Sequence, residues 1–188
     1  MHTRVLHLVG LALVFFCVGL GVAISLKPAG LATNDGISYY GIYTRTFASF
    51  AIGLLGAACS YWLAAFSFHN PKLNPVKYVF LISSALTIVI VLTPYTVNRI
   101  TDDIHTTAGS ILFSLQLALS FWLVHRLHYL LPAAGLALLE LAAGIACAVY
   151  LGPTNGFLIQ AQILFQLTFG GLLLYSLPRL LQTAQSSG

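Results

Sequence analysis

Charge is scarce in this chain. Only 6% of its 188 residues are Asp, Glu, Lys or Arg, where a soluble domain carries about 25%. So little polar surface cannot coat a globule in water, which excludes a soluble domain. The acidic residues number four, Asp35, Asp102, Asp103 and Glu140. The eight Lys and Arg are spread singly, which excludes a nucleic-acid interface and fits anchoring at a membrane surface. The three cysteines, Cys17, Cys59 and Cys147, fall inside apolar runs and share no ligand spacing. Buried apolar thiols are packing residues, so no disulfide framework or metal centre is read from them. Also missing are a Gly-x-Gly-x-x-Gly turn after a strand, a Walker loop, a His-Glu-x-x-His pair and a Gly-x-Ser-x-Gly elbow. Nothing in the sequence specifies a cofactor.

Hydrophobic residues make up 59% of the chain, and the mean hydropathy is +0.91. They gather in six runs, at 5–25, 47–68, 78–93, 104–124, 131–151 and 157–177. Most are long enough to cross a hydrocarbon core of about 30 Å at about 1.5 Å per residue. Only helices and closed barrels span lipid, and runs without alternation are helices. The expectation is an all-α integral membrane bundle of six helices in one domain. The third run is the shortest and implies extension through Tyr95 or local thinning of the bilayer. The first run, behind Arg4, exceeds the apolar core of a signal peptide and is read as a helix. Short connections at 69–77 and 125–130 predict antiparallel neighbours. Placing Arg4, Lys72, Lys77, Arg126 and Arg179 inside, against Lys27, Arg45 and Arg99 outside, puts both termini in the cytoplasm. The membrane is then a bacterial cytoplasmic membrane or a eukaryotic endomembrane.

The longer connections, 26–46 and 94–103, fall on the predicted outer side, and loops of that length carry function. The first holds Tyr39, Tyr40 and Tyr43, so it is expected to pack on the bundle mouth or lie at headgroup level. Around the start of the fourth run stand Arg99, Asp102, Asp103 and His105. An aspartate there can cap the helix and favour its positive end. A His beside carboxylates can act as a general base or a ligand. His105 is therefore the candidate base, with Asp102 or Asp103 orienting it. Asn34, Asp35, Ser38 and Tyr39 can complete the site, and Arg99 can bind substrate.

Glu140 stands in the middle of the fifth run. A carboxyl group there costs roughly 2.5–3.5 kcal/mol and marks function by default. Gln116 and Gln166 lie at similar depth, with Gln162 one turn from Gln166. These groups can form a substrate or proton pathway, or serve as interhelical glue around a neutral Glu140. The other histidines, His2, His7, His69, His125 and His128, fall at the predicted inner helix ends and read as interfacial side chains.

The stretch 104–113, Ile-His-Thr-Thr-Ala-Gly-Ser-Ile-Leu-Phe, and the loop 35–41, Asp-Gly-Ile-Ser-Tyr-Tyr-Gly, resemble a family of small six-helix membrane proteins. It comprises the damage-regulated autophagy modulators, GPI-anchor lipid-remodelling factors and bacterial relatives. The resemblance implies a His opening the fourth helix beside a polar first loop, and lipid-related or membrane-organising work. Three functions stay open: lipid handling or lipid modification at the outer cluster, a small proton-coupled transporter built on Glu140, and a non-catalytic membrane scaffold. The expected partners are the bilayer and a lipid ligand.

Overall fold

The structure, a computed structural model, describes residues 2–33, 35–150 and 156–186, without the side chains of residues 2, 150 and 184–186. Among these residues the regular structure is helical throughout. Six α-helices follow one another: α1 (His2–Leu26), α2 (Thr44–Ala65), α3 (Asn74–Leu92), α4 (Arg99–Arg126), α5 (Leu131–Tyr150) and α6 (Leu158–Ser186). Each is long and apolar enough to cross a membrane. The protein is a multi-pass membrane protein built as a six-helix bundle.

Three helix ends depart furthest from the sequence expectation, each for a local reason. α3 starts at Asn74 because Pro75 fits its first turn, where a missing N–H is no loss. Its 19 residues rise about 29 Å, so no thinning of the bilayer is required. α4 starts at Arg99. The Asn98 side chain accepts the Thr101 N–H at 3.0 Å, and the Thr101 hydroxyl accepts the Asn98 N–H at 3.1 Å. This reciprocal box satisfies the helix start, so Asn98, not an aspartate, is the cap. Asp102 and Asp103 lie inside the helix instead of before it. α6 continues past Pro178 because Leu177, Leu180 and Leu181 keep its core face buried. The fifth run was expected to reach residue 151, which lies outside the described residues, as does Asn34.

The helices pack in chain order. Each meets its successor, while α6 closes back against α1 and also crosses to α4. The two ends of this ring differ. At the end that carries the start of α1, a solid core of Val5, Val9, Phe80, Leu123, Phe169 and Leu173 fills the centre. At the opposite end the core is thinner and lies mostly on α1, α2 and the 26–46 connection, with Val91 of α3 and Ile159 of α6 at its edge.

α1 and α2 approach most closely at two glycines. A Cβ on Gly53 would lie 2.9 Å from the Gly19 Cα and 3.0 Å from the Phe15 carbonyl oxygen, both backbone atoms that cannot swing aside. Small residues allow such contact in lipid, where packing replaces the hydrophobic drive between helices. Gly53→Val should therefore cost about 1–3 kcal/mol by overpacking, read as a lower melting temperature in detergent. Gly10→Ala, with nothing within 4 Å of its added Cβ, should not lower that temperature.

Candidate functional site

The connection from α1 to α2 is a folded strap across the open end of the ring. Two short 3-10 turns, Pro28–Ala32 and Ile37–Gly41, shape it. Gly36 joins them at φ 67°, and a Cβ there would press on the Gln162 amide at 2.6 Å, so glycine suits the position twice over. Tyr39 and Tyr40 turn inward and are buried. Tyr39 packs edge-on to Tyr40 at 5.4 Å and tilted on Tyr43 at 4.8 Å, while the Lys27 ammonium lies over the Tyr43 ring. Two bonds moor the strap to α6: Ile37 N–H to Gln162 Oε1 at 2.7 Å, and Gln160 Nε2–H to the Leu31 carbonyl at 2.9 Å.

A third bond moors it to α4, and this one is chemically distinctive. Ser38 Oγ lies 2.7 Å from His105 Nε2, and His105 Nδ1 lies 2.8 Å from the Thr93 carbonyl oxygen. A carbonyl only accepts, so Nδ1 carries a hydrogen. In the neutral ring Nε2 is then the acceptor, and the Ser38 hydroxyl donates to it. The Thr93 carbonyl is available because α3 ends at Leu92, and the last carbonyls of a helix lack intrahelical donors. Both ring nitrogens are thereby engaged. The expected orienting role of Asp102 or Asp103 falls to a backbone carbonyl, because the earlier start of α4 places His105 in the helix's second turn, facing the end of α3.

Ser38 and His105 stand at the mouth of a cavity of about 320 Å³ that runs into the bundle. Asp35, Asp102 and Tyr95 share the mouth, and Gln162, Gln166 and Gln116 lie along the cavity. Between them the walls are apolar, with Ala12, Phe16, Leu54, Ile90, Leu112 and Phe113. Asp102, Thr106 and Ser110 line the cavity and are also exposed. They recur every four residues, so the cavity opens along one face of α4. The hydroxyls of that face bond locally. Thr106 donates to Asp102 at 3.4 Å, and Ser110 donates to the Thr106 carbonyl at 2.8 Å.

Tyr95 is the feature that sequence reasoning missed. Its ring centre lies 5.8 Å from that of His105. Its hydroxyl is buried in the cavity wall with no partner among the described residues. Burial raises its pKa above that of an ordinary tyrosine, and the nearby Asp35, Tyr43, Tyr39 and Asp102 add to the rise. The phenol stays protonated and remains a donor. Only the Thr93-Pro94 step hinted at this corner, since a proline biases the preceding residue out of helix.

The sequence candidates divide cleanly. Asp35, Asp102, His105, Gln116 and Gln166 line one cavity. Tyr39 supports the strap from behind, while Asp103 and Arg99 are exposed on α4 away from the cavity lining. Glu140 lies beyond the lining and is fully buried. The contact between Ser120 Oγ and Glu140 Oε2 is 2.5 Å, and the same hydroxyl reaches the Gln116 carbonyl at 3.1 Å. One hydroxyl hydrogen cannot serve both acceptors fully, and a proton on Glu140 satisfies the pair. Among the described residues no three His, Cys, Asp or Glu side chains gather as a metal site.

No family model matches the chain, and no curated protein or solved structure matches it either.

Deep in the cavity, Gln166 Nε2–H donates to Gln116 Oε1 at 2.9 Å and Gln116 Nε2–H returns a longer bond to Gln166 Oε1 at 3.4 Å. Removing one amide strands the other in a membrane interior, at about 1–3 kcal/mol. Gln116→Leu and Gln166→Leu should each lower the melting temperature in detergent. The double variant should lose less than the sum, because it leaves no stranded partner.

Proposed function

We propose that the protein is a membrane-embedded serine esterase or acyltransferase that acts on a lipid ester. The Ser38–His105–Thr93 relay at the mouth of an apolar-walled cavity carries this reading. A nucleophile in hydrogen-bond reach of a base that a third group orients is the signature of an activated serine. Here the strap supplies the nucleophile, α4 the base and the end of α3 the orienting carbonyl.

In the first step Ser38 Oγ attacks the ester carbonyl carbon while His105 Nε2 takes the hydroxyl proton. The developing oxyanion needs a donor. Tyr95 offers one, a protonated and unpartnered hydroxyl in the same wall. Collapse of the tetrahedral intermediate breaks the ester C–O bond, and His105 returns its proton to the leaving alkoxide. Water, or a second alcohol, then attacks the acyl-serine by the same route and releases the acid or a new ester.

The substrate class follows from access. The opening runs along the Asp102–Thr106–Ser110 face of a spanning helix, so a molecule lying in the bilayer reaches the serine without leaving it. Polar groups at the mouth suit a headgroup or ester, and the apolar walls suit a chain. The resemblance of residues 104–113 to lipid-remodelling membrane proteins points to the same kind of substrate.

The test uses purified protein in detergent or nanodiscs with a fluorophosphonate probe and p-nitrophenyl acyl esters. The wild type should form an adduct at Ser38, located by mass spectrometry, and should turn over the esters. Ser38→Ala should abolish both. His105→Ala should slow labelling by about 10²–10⁴-fold, and Tyr95→Phe should lower kcat by about 10²–10³-fold with KM nearly unchanged. A folded wild type that takes no label and turns over esters no faster than Ser38→Ala would sink the proposal.

A further inference from the structure

The cavity becomes polar again at its deep end. Ser83 of α3 faces it there, with its side chain 3% exposed and its Oγ without a partner among the described residues. Its own carbonyl is occupied, accepting from the Thr87 hydroxyl at 2.8 Å. The Gln116–Gln166 pair lines the same cavity and exchanges one N–H each. A primary amide has two N–H groups and two oxygen lone pairs, so each Gln keeps bonding capacity in reserve. A buried, unsatisfied hydroxyl costs about 1–3 kcal/mol. A group retained at that cost, aimed into a cavity, indicates a ligand atom that completes it.

The spacing says where that atom sits. α3 descends ten residues from Thr93, at the relay, to Ser83, which is about 15 Å of helix. In an extended hydrocarbon each carbon advances roughly 1.3 Å, from a C–C bond of about 1.52 Å. The two polar ends are thus about twelve carbons apart.

We infer that Ser83 with the Gln116–Gln166 pair forms a second recognition site, which takes a hydroxyl or carbonyl oxygen on the far end of the substrate's acyl chain. The inference rests on the ester-site reading of the mouth. It specifies the substrate class as an ω-oxygenated, medium-chain acyl ester. The far oxygen accepts from an amide N–H and from the Ser83 hydroxyl, or donates to Ser83 Oγ, while the methylenes between lie against Phe16, Leu54, Ile90 and Leu112.

Binding tests this separately from turnover. Methyl 12-hydroxydodecanoate and methyl dodecanoate are titrated against Ser38→Ala protein in nanodiscs, with methyl 6-hydroxyhexanoate and methyl hexanoate as the short pair. The twelve-carbon hydroxyester should bind roughly ten-fold more tightly than its parent, the effect of one well-made hydrogen bond. The short hydroxyester should gain nothing. Introducing Ser83→Ala should erase the long-chain preference without lowering the melting temperature. Equal binding of the long pair, or a preference that survives Ser83→Ala, overturns the inference. A Ser83-dependent preference in a protein whose wild type hydrolyses neither ester supports the deep site and overturns only the reading of the mouth.

Discussion

The bond from His105 to the Thr93 carbonyl joins the two halves of the functional architecture. It is a helix-end bond, made because a terminated helix leaves a carbonyl without a donor and an adjacent helix can supply one. In a bilayer no water meets that carbonyl from the lipid side, so the demand is strong. Once Nδ1 is committed there, Nε2 points across the mouth and the strap can close on it through Ser38. The arrangement that fixes the end of α3 is the one that gives a serine its base.

The same demand explains the rest of the polar chain. Gln162 holds the strap, Gln166 meets Gln116, the Gln116 carbonyl meets Ser120, and Ser120 meets Glu140. These contacts descend from the mouth to the solid core at the other end. Glu140 is the deepest of them and sits outside the cavity lining, so it belongs to the packing between α4 and α5. Ser120 lies against one oxygen of this fully buried carboxyl, while Oε1 has no partner among the described residues. Two of the buried atoms left without partners, at Tyr95 and Ser83, line the cavity, while those at Tyr40, Glu140 and Ser176 lie outside its lining.

Helix count and placement were legible because the bilayer enforces length and hydropathy segment by segment. The missed helix ends share a cause. Pro75 and the Asn98–Thr101 box act within a few residues, while the apolar runs were read at the scale of a whole span. Among the site residues, His105 and Ser38 were visible as polar groups out of place in an apolar chain. Arg99 and Asp103 looked the same from sequence, yet they point away. A one-residue step on a helix turns a side chain by about 100°, and charge alone does not reveal which face looks inward. Tyr95 and Ser83 were invisible because tyrosine and serine are ordinary residues at helix ends and within spanning helices.

The sequence by itself determined a membrane protein of six apolar helices, with its polar residues concentrated in the first loop, around the start of the fourth helix and at mid-depth. Composition and run length suffice for that, since lipid accepts nothing else. Only the tertiary structure decided that residues 38, 93, 95 and 105, from three elements, meet at one mouth. It also decided that Ser83 and the two glutamines line the same cavity. Those meetings depend on how the strap folds over the ring and how α6 leans across to α4. Both are set by packing between distant parts of the chain, and no local pattern encodes them.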